Sequence, residues 1–144
     1  MKLIAKNKKA KYDYEILKTF EAGIVLLGPE VKGIKNGHIS IKESFISFSE
    51  NIVLLKNSMV TIPSYAKQYV ESEKRDKVLL LHKKEINFLK KEVSRKGYTV
   101  IPLSIYVSDK GMIKLEIALA KGKKEYEKRE TIKKRDIERS LKDY

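Results

Sequence analysis

The side chains that usually carry catalytic or metal chemistry are scarce in this 144-residue chain. Cysteine is absent, which excludes a thiolate nucleophile, a disulfide framework and a cysteine metal site. His38 and His82 are the only histidines, too few for a histidine-rich zinc centre. The glycine patterns of phosphate-binding loops are missing as well, and no spacing singles out a Ser/His/Asp set. The sequence therefore predicts binding rather than catalysis, with no metal and no cofactor.

Lysine and arginine are the chemistry that the sequence does offer. They number 32 against 19 acidic residues, a formal net charge of +13, which indicates a polyanionic partner. The excess is segregated: residues 1–11 carry five lysines and no acid, residues 74–96 a local +6 and residues 121–144 a local +4. Segregated charge predicts a binding face, whereas the alternative is that the lysine-rich stretches are ordinary solvated surface.

Alternating apolar residues predict the strands that must position these charges. The even positions of residues 14–26 are apolar except for Lys18, and alternation recurs over 99–107 and 113–119, with a hairpin turn between these two. Residues 38–57 predict two or three further strands. About six short strands in a small chain favour a closed or nearly closed β-barrel over a sandwich.

Two helices accompany the predicted strands. Gly28-Pro29-Glu30 is typical of a helix start, because proline fits the first turn and glutamate suits the positive end of the helix dipole. The apolar spacing over residues 79–96 predicts a longer helix that ends at Gly97 and packs His82 against the core. Residues 63–76 are polar and predict a long loop.

The charged segments divide the chain into three parts. We expect a basic N-terminal arm over residues 1–11, a barrel over 12–120 and a basic tail over 121–144. The tail has few large apolar residues, so we expect it to be disordered when free and helical against a polyanion. The sequence has no run of ~18 apolar residues, so we expect no membrane contact. We also expect the protein to be a cytoplasmic monomer.

Several sequence blocks are also shared with a known family, in the same order and over almost the whole chain. They are Ile4-Ala5-Lys6-Asn7-Lys8-Lys9-Ala10, Tyr12-Asp13-Tyr14, Phe20-Glu21-Ala22-Gly23-Ile24, Leu79-Leu80-Leu81-His82-Lys83-Lys84-Glu85-Ile86, Gly97-Tyr98-Thr99-Val100-Ile101-Pro102-Leu103 and Ala120-Lys121-Gly122-Lys123-Lys124. In these blocks the chain closely resembles the SmpB, or SsrA-binding, family. It departs from the family pattern at Tyr12, where histidine is usual, and at Arg75-Asp76-Lys77-Val78, where Arg-Pro-Arg-Lys is usual.

The resemblance implies an OB-type β-barrel of about six strands, with two or three short helices, that binds transfer-messenger RNA (tmRNA). Members of the family bring this RNA to stalled ribosomes and place their basic tail in the empty mRNA channel near the decoding centre. The implied partners are therefore tmRNA and the ribosome, and no small-molecule substrate is implied. The alternatives are a general RNA-binding or ribosome-associated structural protein and, less favoured, an RNA-processing enzyme.

The resemblance and the charge pattern together assign two sets of residues. In the family, a glutamate, a leucine and a lysine of the barrel support RNA binding, and here they fall on Glu21, Leu80 and Lys114. The expected RNA contacts of the barrel and arm are Lys6, Asn7, Lys8, Lys9, Tyr12, Tyr14, Glu21, Arg75, Lys77, Leu80, Lys114, Lys121, Lys123 and Lys124. The expected ribosome contacts of the tail are Lys128, Arg129, Lys133, Lys134, Arg135 and Arg139.

A specific contact with RNA can be described for three of these residues. Tyr12 and Tyr14 can stack on exposed bases, at roughly 1–3 kcal/mol each. A carboxylate such as Glu21 can accept a hydrogen bond from a base amino group or orient a neighbouring lysine. Equally, Glu21 can be an ordinary strand residue paired with a lysine on the next strand.

Overall fold

The computed structural model describes residues 1–123 and Arg129. Within them the chain forms nine strands, three α-helices and one 3₁₀ helix. In chain order these are β1 (Lys2–Lys6), α1 (Ala10–Asp13), β2 (Tyr14–Ile24), α2 (Gly28–Lys35), β3 (Ile39–Ser40), β4 (Phe45–Ser49), β5 (Ile52–Lys56), β6 (Met59–Val60), the 3₁₀ helix Ser64–Tyr69, β7 (Lys77–Leu80), α3 (Lys83–Lys96), β8 (Thr99–Val107) and β9 (Ile113–Gly122). No helix in this part of the chain is long and apolar enough to cross a membrane.

Seven strands form one antiparallel sheet in the order β1-β8-β9-β2-β7-β5-β4, and β3 pairs with β6 separately. The sheet is strongly curved, because β4 lies against β8 and β1 lies against β3. The inner face packs a continuous apolar core that includes Phe20, Val53, Leu79, Ile105 and Leu115. The prediction of a mainly β fold with a few short helices is confirmed.

The β-bulges in β2 and β8 change which side chains face this core. The pairing of β2 with β9 shifts between Ile16 and Lys18, and the pairing of β8 with β9 shifts between Pro102 and Ser104. Each bulge adds one residue to its strand and turns the following side chains to the other face. The predicted strands are therefore correct, but their apolar residues do not share one face: Ile16 packs in a small outer cluster beneath α1, whereas Phe20 packs in the core.

The predicted long helix begins later than expected. Leu79 is buried on β7, opposite Val53 of β5, and the helix starts only at Lys83. His82 is the residue that precedes the first helical turn, and it is exposed, so the prediction of a packed core histidine is wrong. The predicted end is confirmed, since Gly97 adopts φ +67°, the left-handed conformation that suits glycine after a helix.

The predicted arm is not a separate segment, because β1 is hydrogen-bonded to β8 as an integral edge strand. At the other end, β9 continues through Gly122, past the predicted start of the tail at residue 121. Of the remaining tail residues the structure describes Lys123 and Arg129, and Arg129 is exposed and helical. The assignments to Lys124, Lys128, Lys133, Lys134, Arg135 and Arg139 lie outside the described residues.

Candidate nucleic-acid interface

Glu21, Leu80 and Lys114 meet on the outer face of the sheet although they are far apart in the sequence. They belong to three adjacent strands, and Gly23 in the middle strand is paired with both Lys114 of β9 and Leu80 of β7. Glu21 precedes Gly23 by two residues, so its side chain emerges on the same face. The three side chains line an open groove of about 430 Å³, which we call the β2 groove.

The floor of the β2 groove depends on Gly23. A Cβ atom at this position would lie 3.2 Å from the Cβ of Leu80, which is closer than side chains normally approach. With no side chain there, Leu80 can lie beside the β2 backbone while 57% of its surface stays exposed. Met112, from the turn between β8 and β9, adds a second exposed apolar side chain to the groove.

The charges of the β2 groove are only partly neutralised. Lys114 Nζ lies 4.0 Å from Glu21 Oε1, and the hydroxyl of Tyr106 donates a hydrogen bond to Glu21 Oε2. The cross-strand lysine that the sequence left as an alternative partner for Glu21 is therefore present. It does not bury the carboxylate, since 58% of the Glu21 side chain remains exposed.

A second group of cations lies around the start of α1. Lys6, Lys8 and Lys9 are exposed and line a cavity of about 380 Å³ together with Lys42. Asn7 shares this cavity, but its side-chain amide donates to the carbonyl of Pro102 at 3.0 Å, which fixes it to β8. Lys42 carries no sequence signal of its own, since it is a lone lysine outside the three basic segments.

The end of β9 reaches the same α1. Lys123 donates from its backbone amide to the Asp13 carbonyl at 2.9 Å and from Nζ to the Lys11 carbonyl at 2.7 Å. Lys121 is exposed and pairs in register with Glu15. We call the exposed lysines of this region, which are Lys6, Lys8, Lys9, Lys11, Lys42 and Lys121, the basic end.

The basic end and the β2 groove are distinct surfaces. Lys114 and Lys121 lie seven residues apart on β9, about 23 Å along the strand. Tyr12 and Tyr14 belong to the region of the basic end and are half-buried. Tyr14 packs against the small cluster that contains Ala10 and Ile101, so part of its ring is already engaged.

Arg75 and Lys77 occupy a different environment from the one that the sequence predicted. Arg75 forms a two-point contact with the buried Glu30, from Nη2 to Oε1 at 2.7 Å and from Nε to Oε2 at 3.1 Å. Lys77 is fully buried and donates to Ser58 Oγ and to the Arg75 carbonyl, each at 2.9 Å. Its ammonium cannot reach a phosphate from this position, so the assignment of Lys77 to the RNA-binding set is wrong for this structure.

The physical reason is the need to stabilise Glu30 inside the protein. Burial alone raises the pKa of the Glu30 carboxyl, but hydrogen bonds from Arg75 and from the Leu27 amide outweigh burial and leave that pKa below its usual value. Burial lowers the pKa of the Lys77 ammonium. Arg75 and Lys77 therefore act as partners of a buried carboxylate and tie α2 to β7.

Residues 4–144 match the family model described as SmpB protein. The chain belongs to the SmpB family. It is 47% identical to the SsrA-binding protein of Coprothermobacter proteolyticus, over 98% of this chain and 95% of that protein. It is equally similar to the SsrA-binding protein of Thermosipho melanesiensis, over 100% of this chain and 98% of that one.

A solved structure supports the same relationship. It is described as "tmRNA-SmpB: a journey to the center of the bacterial ribosome", and its matching chain superimposes with a TM-score of 0.68 at 38% identity, covering 84% of this chain and 85% of that one. SmpB proteins are RNA-binding adaptors, not enzymes. The RNA-processing enzyme that the sequence left open is thereby excluded.

Sequence reasoning missed two residues that shape the groove. Tyr106 lies on a strand that was predicted from alternation, at a position that the pattern assigned to the solvent face, yet it is buried. Gly23 was part of a family block but carried no assigned role. In both cases the signal is a cross-strand pairing, which only the sheet register reveals.

Proposed function

We propose that this protein is a tmRNA-binding adaptor of trans-translation that holds the tRNA-like part of the RNA in the β2 groove. The observation that carries the proposal is the convergence of Glu21, Leu80 and Lys114 on one exposed face. Membership of the SmpB family and the similarity to a chain of a tmRNA–SmpB structure support it. The adaptor would work in the cytoplasm, where it would deliver the bound RNA to stalled ribosomes.

The groove offers the three contacts that folded RNA needs. Proteins recognise RNA through unstacked loop bases, 2′-hydroxyls and phosphates. Leu80 and Met112 present apolar surface to an unstacked base, and Lys114 presents a cation to a phosphate. Glu21 is the acceptor of the set and takes a hydrogen bond from a base amino group or a 2′-hydroxyl.

The basic end has a different task in the proposal. Its exposed lysines line an open cavity and present cations, which suit phosphates without regard to base identity. We assign to it further phosphate contacts with the RNA. The tail continues from β9 at this end, and we place its cations in the empty mRNA channel of the ribosome.

The test removes the apolar contact of the groove. The variant Leu80→Ala should weaken binding to a labelled tRNA-like RNA about tenfold, because it removes a side chain on which a base rests. Ile52→Ala is the matched control, since Ile52 is 51% exposed on β5 outside the groove. Binding is measured by fluorescence anisotropy at several salt concentrations.

The two variants separate specific from non-specific binding. The affinity of the unmodified protein should fall steeply with salt, because each neutralised phosphate releases counterions. Equal affinities of Leu80→Ala and Ile52→Ala would remove the groove from the interface. An affinity that does not change with salt would contradict the proposed function itself.

A further inference from the structure

Tyr106 lies beside the charged part of the β2 groove, on the same outer face of the sheet as Lys114. It is only 7% exposed and sits on β8 opposite Lys114 of β9. Its hydroxyl reaches past β9 to donate to Oε2 of Glu21 on β2, the next strand. The ring is thus almost inaccessible to solvent although it lies on the outer face, and its polar end contacts a surface carboxylate of the proposed RNA site.

The hydroxyl is the donor in its contact with the Glu21 carboxylate. Burial and the hydrogen bond to Glu21 raise the pKa of the Tyr106 phenol well above its usual value, so it keeps its proton throughout the physiological range. A buried hydroxyl without a partner is costly, and a phenylalanine would fill the same space. The contact with Glu21 is therefore what the hydroxyl adds to this position.

Glu21 needs such a contact because one neighbouring charge repels its carboxylate and another attracts it. Glu116 is paired directly with Glu21 across β2 and β9, and like charges in that relation repel each other. Lys114 attracts the other oxygen from 4.0 Å. A carboxylate without an anchor would turn towards Lys114, and each charge would then satisfy the other instead of a ligand.

We infer that Tyr106 is a positioning residue for RNA binding: its phenol anchors Oε2 of Glu21 so that Oε1 and Lys114 remain available to the RNA. The inference rests on the proposed function, since it assumes that Glu21 accepts a hydrogen bond from RNA. Tyr106 itself, being buried, does not touch the ligand. Its effect on affinity therefore passes entirely through Glu21.

A double-mutant cycle on the full chain tests this inference. Tyr106→Phe should weaken binding to the tRNA-like RNA about three- to tenfold, and Glu21→Gln about tenfold or more. The double variant should bind as Glu21→Gln alone does, because the phenol has no route to the RNA other than the carboxylate. Tyr98→Phe is the matched control, as it deletes the same atom at a half-buried position outside the groove, and it should leave affinity unchanged.

A rescue variant guards against a trivial loss of folding. Tyr106→4-aminophenylalanine keeps a donor at the end of the same ring and should restore most of the affinity that Tyr106→Phe loses. Thermal melting of every variant shows that the comparison is made between folded proteins. An affinity that follows ring packing alone, equal in the phenylalanine and aminophenylalanine variants, would assign Tyr106 a purely structural role.

The outcomes distinguish the inference from the function beneath it. If Glu21→Gln weakens binding while Tyr106→Phe does not, or if their effects simply add, the positioning role is refuted and the groove remains. If neither affects a protein that binds the RNA, the site is wrong. If the unmodified protein does not bind the tRNA-like RNA, the proposed function fails.

Discussion

Two carboxylates of this protein, Glu30 and Glu21, each have cations beside them but occupy opposite environments. The Glu30 side chain is 1% exposed, and both of its oxygens accept hydrogen bonds, from Arg75 and from the Leu27 amide. The Glu21 side chain is 58% exposed, with one oxygen held by a phenol and the other 4.0 Å from a lysine. The same residue types thus build a closed structural cluster in one place and an open site in the other.

The energetics of ion pairs explain why the two environments suit different tasks. A buried ion pair is strongly destabilised when one partner is removed, because an uncompensated charge stays inside the protein. An exposed pair contributes little, since water and salt replace the partner at small cost. Glu30 therefore keeps its partners, whereas Glu21 and Lys114 can replace their contact with each other by contacts with RNA.

The largest expected effect comes from neutralising Glu30. Glu30→Gln leaves the buried Lys77 and the half-buried Arg75 without their carboxylate, so we expect the free energy of unfolding to fall by about 3 kcal/mol. The melting temperature should fall by roughly 10 °C. Urea denaturation followed by circular dichroism measures the change.

Glu21→Gln is the control for this variant, as the same substitution at an exposed site. It should change the free energy of unfolding by less than about 0.5 kcal/mol. If Glu21→Gln lowered the free energy of unfolding more than Glu30→Gln, Glu21 and not Glu30 would be the structural carboxylate.

Lowering the pH should remove the contribution of Glu30 to stability in the unmodified protein. The pKa of Glu30 is lower in the folded protein than its ordinary value of 4.5, so the unfolded chain takes up the proton first. The stability that Glu30 contributes is complete above pH 4.5 and is lost as the pH falls through the lower, folded value. We therefore expect the stability difference between the unmodified protein and Glu30→Gln to shrink below about pH 4.5.

Chemical denaturation at a series of pH values measures this difference. A gap between the two proteins that stays constant from pH 7 to pH 3 would mean that folding does not change the pKa of Glu30, contrary to the hydrogen bonds that the carboxylate accepts.

The strands were predictable because a half-buried strand has to alternate, as residues 113–119 do. The bulges near Leu17 and Leu103 were not, because an extra residue changes the facing of a strand without interrupting its apolar run. His82 was misplaced for a related reason. Its spacing to Ile86 fits a helical stripe, but the preceding leucines pair with β5 and β2, and that pairing delays the helix by one turn.

At the site, too, contacts between residues close in the sequence could be predicted and contacts between distant residues could not. Glu30 was expected near a helix start, and its contact with the Leu27 amide is local. Its partnership with Arg75 spans 45 residues, so two cations in a basic segment were assigned to RNA. The resemblance to the SmpB family selected Glu21, Leu80 and Lys114, whereas Tyr106 became visible only through the register of β8 against β9.

The smallest expected effects come from a matched pair of lysines, one in each cluster. Lys114→Met should lower RNA affinity about threefold and reduce the slope of log affinity against log salt by about one, because one phosphate contact is lost. Lys77→Met should leave both quantities unchanged, since Lys77 is fully buried. The free energy of unfolding of Lys77→Met should fall by about 1–3 kcal/mol, because the buried Ser58 hydroxyl and the Arg75 carbonyl lose their donor while Arg75 still satisfies Glu30. Salt-dependent titration measures both quantities. An equal loss of affinity in the two variants would mean that the buried cluster shapes the groove. Burial would then not distinguish lysines that stabilise the fold from lysines that bind RNA.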